Sequence, residues 1–191
     1  MQIMHGGRTS HPDLIDGANP EAPSAFDWGG TVRGFAGKMD APVPRELKKE
    51  ELPRIVDEFR QGARRAIDAG VDGVEIHGAN GYLLHEFMAP SANKREDEFG
   101  GSPENRWRLP EMVIRAVAEE IGADRVGVRF SPAHNVQGVI EDDQEDMLAT
   151  YGGLLDALAP LNLAYVSLLH GEPDSELIAT LAQKARANGV T

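Results

Sequence analysis

The sequence predicts an α/β fold of the (β/α)8 TIM-barrel type, present as about four central βα units. First, amphipathic helical segments alternate with short apolar strands along most of the chain. Second, short loops precede the strands and long polar loops follow them, as on the functional face of a barrel. A closed barrel needs eight units, so the sequence reads as the middle half of one. An open doubly wound sheet is the alternative, and no G-x-G-x-x-G turn supports it.

Short apolar runs that end in polar loops predict four strands. They are Gln2–Met4, Gly73–His77, Val126–Phe130 and Leu163–Leu169. Apolar residues at helical spacing predict four helices, with apolar stripes that start at Leu52, Leu109, Met147 and Leu177. The residues that suit helix ends are Gly70, Gly122, Pro160 and Gly189. A further strand is expected at Thr191, where the sequence ends.

Residues 1–191 are predicted to form a single partial barrel domain. A long loop takes up residues 6–50, and the βα units occupy about residues 51–191. A connection of this length is usually functional or contains small structure of its own. Within it, Thr31–Phe35 suits either part of a hairpin or a plain surface loop.

Composition excludes several classes of function. The 191 residues are 41% apolar and 26% charged, as in an ordinary soluble globular domain. The net charge of −12 argues against a nucleic-acid or anionic-membrane partner. Without cysteine there is no disulfide, thiolate zinc site or cysteine nucleophile. No apolar run approaches a membrane span and the first residues lack a signal core, so we expect a cytoplasmic protein.

The segment Asp72–Arg106 contains most of the candidate functional residues of the chain. A buried strand is followed by a sharp turn through Gly78 and Gly81, which displays His77, Asn80 and Tyr82. Parallel α/β folds place active sites at the carboxyl ends of their strands. The other interpretation of these side chains is an ordinary loop histidine beside turn-forming residues.

Charged residues on two neighbouring strands should point into the barrel. Because side chains alternate along a strand, Glu75 shares a face with His77, and Arg129 shares one with Gly127. A lone buried charge is costly, so we predict a contact between Glu75 and Arg129. Arg129 either serves this ion pair alone or also faces a bound anion or an electron-rich ring.

Four motifs resemble those of the old yellow enzyme family, the flavin-dependent reductases of activated alkenes. They are QIMHGGR, HGANGY, NKREDEFGGSPENR and VGVRFSP, in the family's order. The resemblance implies an oxidoreductase that binds FMN noncovalently and takes hydride from NAD(P)H. It also implies that Gln2 hydrogen-bonds the pyrimidine edge of the flavin and that Arg129 lies beside the N1 and C2 carbonyl region.

The resemblance implies a substrate site for an enone, an α,β-unsaturated carbonyl compound. In the family, a His and a His or Asn three positions later donate hydrogen bonds to the substrate carbonyl, and these match His77 and Asn80. A Tyr two positions further on donates a proton to the α-carbon, and it matches Tyr82. A phenol is protonated at neutral pH, which suits that role.

The resemblance covers the third strand to the sixth helix of the family barrel. The loops of the seventh and eighth strands, which bind the flavin phosphate, lie outside this sequence. The alternative function is therefore a non-catalytic half-barrel that cannot hold FMN alone. Such a half-barrel has two open strand edges, through which it is expected to self-associate.

Three other features are not assigned a catalytic role. The acidic run over residues 141–146 suggests a cation site less strongly than a solvated loop before a helix. His85, His134 and His170 lack the spacing of metal ligands, so no metal site is predicted. Asn93–Arg106 is predicted to be structural, with turns, charge pairs and a helix start at Ser102–Pro103.

Overall fold

The computed structural model describes residues 1–189 of the chain. In chain order, the strands are β1 (Gln2–Ile3), β2 (Glu21–Ala22), β3 (Thr31–Gly34), β4 (Gly37–Asp40), β5 (Arg45–Glu46), β6 (Val74–Gly78), β7 (Val126–Phe130) and β8 (Tyr165–Leu168). The longer helices are α1 (Leu52–Asp68), α2 (Leu83–Met88), α3 (Pro103–Ile121), α4 (Gln144–Leu158) and α5 (Glu176–Ala187). The strand expected at Thr191 lies outside the described residues.

The main sheet has the order β1-β6-β7-β8, and every neighbouring pair is parallel. This confirms the predicted order and direction of the four strands. Val74 and Ile76 of β6 face the same apolar core as Val126 and Val128 of β7. Helices α1, α3, α4 and α5 pack on that core as successive neighbours. The opposite face of the sheet carries the polar residues, as in the wall of a barrel.

The helix boundaries follow the predicted caps, and one further helix is present that was not predicted. Gly70 and Gly122 adopt the positive φ angles, +88° and +90°, that end helices. Helix α3 begins at Pro103, which confirms the predicted start at Ser102–Pro103, and Ser102 caps it by accepting the Asn105 amide at 3.4 Å. Helix α2 was not predicted, since it is a short, completely buried helix without an amphipathic pattern.

The long loop of residues 6–50 has small structure of its own. Strands β3 and β4 form an antiparallel hairpin, which confirms the hairpin interpretation of Thr31–Phe35. Phe35 at its tip is 82% exposed. Strands β2 and β5 form a second, parallel pair. No helix among residues 1–189 is long and apolar enough to cross a membrane.

The segment Asn93–Arg106 is held by buried polar side chains. Asn93 donates to the carbonyls of Phe87 and Phe99, both at 2.7 Å. Arg106 is 3% exposed and donates to the Met88 carbonyl at 2.7 Å. Its Nη2 also donates to both carboxylate oxygens of Asp146 at 2.6 Å, which ties the segment to α4. The predicted structural role of this segment therefore has a specific anchor.

We expect Arg106→Leu to lower the free energy of unfolding by about 2–4 kcal/mol, because it removes several buried hydrogen bonds at once. Urea unfolding of the purified chain measures this. Arg60→Ala is the matched control, since its ion pairs lie on the partly exposed surface and should contribute less than about 1 kcal/mol. Equal effects of the two variants would contradict the anchoring role of Arg106.

Candidate active site on the inner face of the sheet

The polar side chains of the inner face form two layers. In the lower layer, Gln2 lies opposite Glu75, Glu75 opposite Gly127, and Gly127 opposite Tyr165. In the upper layer, nearer the carboxyl ends of the strands, His77 lies opposite Arg129. This arrangement follows from the parallel register, because residues two apart on a strand face the same side.

The lower layer differs from its prediction. Glu75 accepts a hydrogen bond from the Gln2 amide at 2.6 Å and another from the Tyr165 hydroxyl at 2.9 Å. The predicted contact between Glu75 and Arg129 was wrong, since no ion pair joins them in the described part of the chain. The register explains this, because Glu75 lies opposite Gly127, whose missing side chain leaves room for the Tyr165 ring. Gln2 therefore lies one layer below His77 and Arg129.

The upper layer keeps a buried histidine beside an arginine. His77 is 4% exposed. Burial lowers the pKa of the imidazole, and the positive charge of Arg129 lowers it further, so that the ring is neutral at pH 7. A neutral imidazole has one N–H donor and one acceptor nitrogen.

The turn after β6 is left-handed at two successive residues. Asn80 has φ of +58° and Gly81 has φ of +75°. The Tyr82 amide donates to the Ala79 carbonyl at 3.3 Å and closes the turn. Asn-Gly is the residue pair that such turns favour. Gly78, which the sequence placed in the turn, is instead the last residue of β6.

This turn brings Asn80 and Tyr82 close to His77. Asn80 Nδ2 lies 3.5 Å from His77 Nε2. The rings of His77 and Tyr82 are tilted by 49°, with centroids 5.2 Å apart. The structure therefore groups four of the five predicted site residues at the carboxyl end of the sheet.

Several buried polar atoms of this group have no hydrogen-bond partner within residues 1–189. They are His77 Nδ1, Asn80 Oδ1 and Arg129 Nε. Buried polar atoms of native proteins are nearly always paired, so this cluster has the character of a ligand-binding surface. Within this cluster, the unpaired N–H group and the fixed positive charge of Arg129 fit the electron-rich edge of a flavin ring.

Sequence reasoning missed a buried network behind the turn. Glu141 was assigned to a solvated acidic loop, but it is 5% exposed and lies 3.2 Å from His85 Nε2. In the same run, Asp143 caps α4 and Asp146 pairs with Arg106. No metal-binding cluster of His, Cys, Asp and Glu occurs in the described residues.

The profile of the NADH:flavin oxidoreductase / NADH oxidase family matches residues 1–173. The chain belongs to this family. It is 48% identical over 143 residues to 12-oxophytodienoate reductase 1 of Oryza sativa subsp. japonica, an alignment that covers 75% of the chain and 37% of the rice protein. The family and this relative are oxidoreductases, and the family name implies a flavin and a nicotinamide reductant.

Solved structures of the family superpose well on the chain. The old yellow enzyme homologue of Zymomonas mobilis matches with a TM-score of 0.84 and 37% identity, over 92% of this chain and 48% of that one. Morphinone reductase in complex with tetrahydroNAD matches with a TM-score of 0.86 and 37% identity, over 98% and 52%. These neighbours are (β/α)8 barrels, and the chain spans about half of each.

We expect the His77 imidazole to titrate below its ordinary pKa of 6.5, because burial and Arg129 both disfavour its charged form. As the pH falls below 6.5, the unfolded chain binds a proton that folded His77 does not, so this residue makes the free energy of unfolding decrease. An NMR titration of the ring protons measures the pKa. Arg129→Gln should raise it only part of the way, since burial is the larger cause, and a pKa at or above 6.5 would refute this assignment.

Proposed function

We propose that the site reduces activated alkenes, namely α,β-unsaturated carbonyl compounds, as part of an FMN-dependent old yellow enzyme. The observation that carries this proposal is the grouping of His77, Asn80, Tyr82 and Arg129 at the carboxyl end of a parallel sheet. Three of these side chains come from the HGANGY motif and Arg129 comes from VGVRFSP, and the fold brings them to one surface. The family membership and the buried unpaired polar atoms support the proposal.

Two residues are proposed to hold the flavin. Arg129 faces the inner side with an unpaired buried Nε, and its fixed charge suits the ring edge where negative charge collects. Gln2 can reach the ring only if its amide turns away from Glu75, to which it donates in this structure. When bound there, FMN would supply the hydride that the β-carbon of the alkene receives, and NAD(P)H would reduce the flavin again.

His77 and Asn80 are proposed to bind the substrate carbonyl. Neutral His77 offers a single N–H, and the Asn80 amide offers N–H donors from the neighbouring turn. Two donors on one carbonyl oxygen stabilise the negative charge that develops there during reduction. The left-handed backbone at Asn80 turns this residue back toward His77 and so sets the spacing of the pair.

Tyr82 is proposed to be the proton donor. Its ring lies beside that of His77, so that the hydroxyl and the carbonyl-binding donors serve the same small region. Protonation of the α-carbon completes the reduction and leaves a phenolate that must regain a proton from solvent. Tyr82 is only partly buried, which allows that exchange.

In a complete FMN-loaded barrel that carries these residues, we expect Tyr82→Phe to lower the rate of alkene reduction at least about a hundredfold, the lower end of the range for loss of a general acid. Reduction of the flavin by NAD(P)H should remain within about twofold, because that half-reaction needs no such proton. Stopped-flow measurement of the two half-reactions separates them. Wild-type alkene reduction by Tyr82→Phe with several substrates would rule out the proton-donor role.

The alternative function is a half-barrel without catalysis by itself. In this proposal β1, β6, β7 and β8 are the third to sixth strands of one partial barrel domain over residues 1–191. Strands β1 and β8 are the outer strands of the described sheet, and Tyr165 at the β8 edge is 39% exposed. Open edges recruit other strands, and uncovered apolar surface costs about 25 cal/mol per Å².

We therefore expect the purified 191-residue chain to self-associate or aggregate and to bind FMN weakly or not at all. Gln2 and Arg129 are proposed to contact the flavin ring, whereas no phosphate-binding loop of the family is among the matched motifs. Analytical ultracentrifugation and a fluorescence titration with FMN test the two statements. A monomer that binds FMN stoichiometrically at micromolar concentration would exclude the half-barrel alternative.

A further inference from the structure

The turn that carries Asn80 and Tyr82 depends on support from outside itself. Its two left-handed residues are held by one turn hydrogen bond of 3.3 Å between Tyr82 and Ala79. Asn-Gly suits these backbone angles, but one turn hydrogen bond does not set the position of the turn relative to the sheet, so contacts from other elements are needed to fix it. Both proposed site residues lie next to Gly81, and the placement of that residue therefore controls both.

The support comes from His85 of α2. The Gly81 amide donates a hydrogen bond to His85 Nδ1 at 2.9 Å. Since a backbone N–H only donates, Nδ1 carries no proton, and neutral His85 is the tautomer protonated on Nε2. That nitrogen lies 3.2 Å from Glu141 Oε2, where it has an acceptor. The geometry thus fixes the protonation of both ring nitrogens, and His85 itself is fully buried.

Glu141 is the buried acceptor at the other end of this contact. Its carboxylate also accepts hydrogen bonds from the Tyr151 hydroxyl at 2.9 Å and from the Ala133 amide at 3.1 Å. Burial, and then the charge of Glu141, raise the pKa of Tyr151 well above its usual range, so Tyr151 remains a donor. These donors compensate a carboxylate that burial alone would make costly.

We propose that His85 and Glu141 are positioning residues that hold Asn80 and Tyr82 in place through the Gly81 amide. This inference rests on the proposed function of those two residues. Neither His85 nor Glu141 is assigned contact with substrate or flavin. A core that needed only packing would be filled by apolar side chains at less cost, whereas this polar chain ends on the one amide between the two site residues.

The loop after β7 secures the same turn at two further points. The backbone N–H of Asn80 donates a hydrogen bond to Ser131 Oγ at 2.8 Å. Gln137 Nε2 donates to the Asn80 carbonyl at 2.7 Å. Because Glu141 closes this loop by accepting the Ala133 amide, it supports the turn both through His85 and through the loop. The turn and the loop are therefore joined by direct hydrogen bonds at the carboxyl ends of β6 and β7.

Hydrogen exchange of the Gly81 amide, in the 191-residue chain or in a complete barrel that carries these residues, tests the inference without flavin or substrate. We expect His85→Leu to accelerate this exchange about tenfold relative to the Ile76 amide in β6, because Gly81 loses its acceptor. His85→Gln should restore most of the protection, since its amide both accepts and donates. Tyr151→Phe is the matched control, as it removes a buried hydrogen bond from Glu141 but none from the turn.

The inference is overturned if His85→Leu accelerates exchange of the Gly81 amide no more than exchange of the Ile76 amide. It is also overturned if Tyr151→Phe accelerates exchange of the Gly81 amide as much as His85→Leu does. If the leucine variant does not fold, NMR of the unmodified chain decides instead. His85 should then show a proton on Nε2 and a hydrogen bond from Gly81 to Nδ1, and the opposite tautomer overturns the proposal.

A kinetic comparison separates this inference from the proposed function. In a complete FMN-loaded barrel, His85→Leu should reduce the rate of alkene reduction about tenfold and His85→Gln should recover it. Loss of Gly81 protection together with unchanged activity in Tyr82→Phe would support the positioning contact and refute the proton-donor role. Impaired Tyr82→Phe with an undisturbed Gly81 amide in His85→Leu would refute the positioning role alone.

Discussion

The parallel pairing of β6 with β7 is the contact on which both the core and the candidate site depend. Val74 and Ile76 lie opposite Val126 and Val128, and these apolar pairs face the helices. The alternate residues of both strands face the other side of the sheet, where His77 lies opposite Arg129. A shift of one residue would place Arg129 in the helix-packed core and expose the valines. The hydrophobic core therefore fixes the register, and the register positions the polar site.

Much of this arrangement was predictable from the sequence because it follows from periodicity. The order of the strands, the helix ends at Gly70 and Gly122, and the grouping of His77 with Tyr82 all rest on regular spacing or on a local turn. The partner of Glu75 was not predictable in this way, because side-chain alternation gives the face of the sheet but not the register between strands. The register placed Glu75 opposite Gly127, so that Gln2 and Tyr165 became its partners.

The acidic run over residues 141–146 shows a second limit of sequence reasoning. Clustered carboxylates are usually solvated, and nothing local distinguishes Glu141 from Asp142. The difference is tertiary, since Glu141 meets His85 from α2 and Tyr151 from α4, which are distant in sequence. A short buried helix such as α2 also escapes prediction, because a buried helix need not be amphipathic.

Two buried glutamates near α2 show why the network of Glu141 is suited to positioning. Glu86 accepts the Arg8 amide at 2.9 Å, but its Oε2 has no partner within the described residues, and burial raises its pKa to about 8. It is therefore mainly neutral at pH 7. Glu141 instead has three donors, each from a different part of the chain. Hydrogen bonds from three parts of the chain define one orientation of the Glu141 carboxylate, which suits it to accept the His85 Nε2 proton while Nδ1 accepts the Gly81 amide.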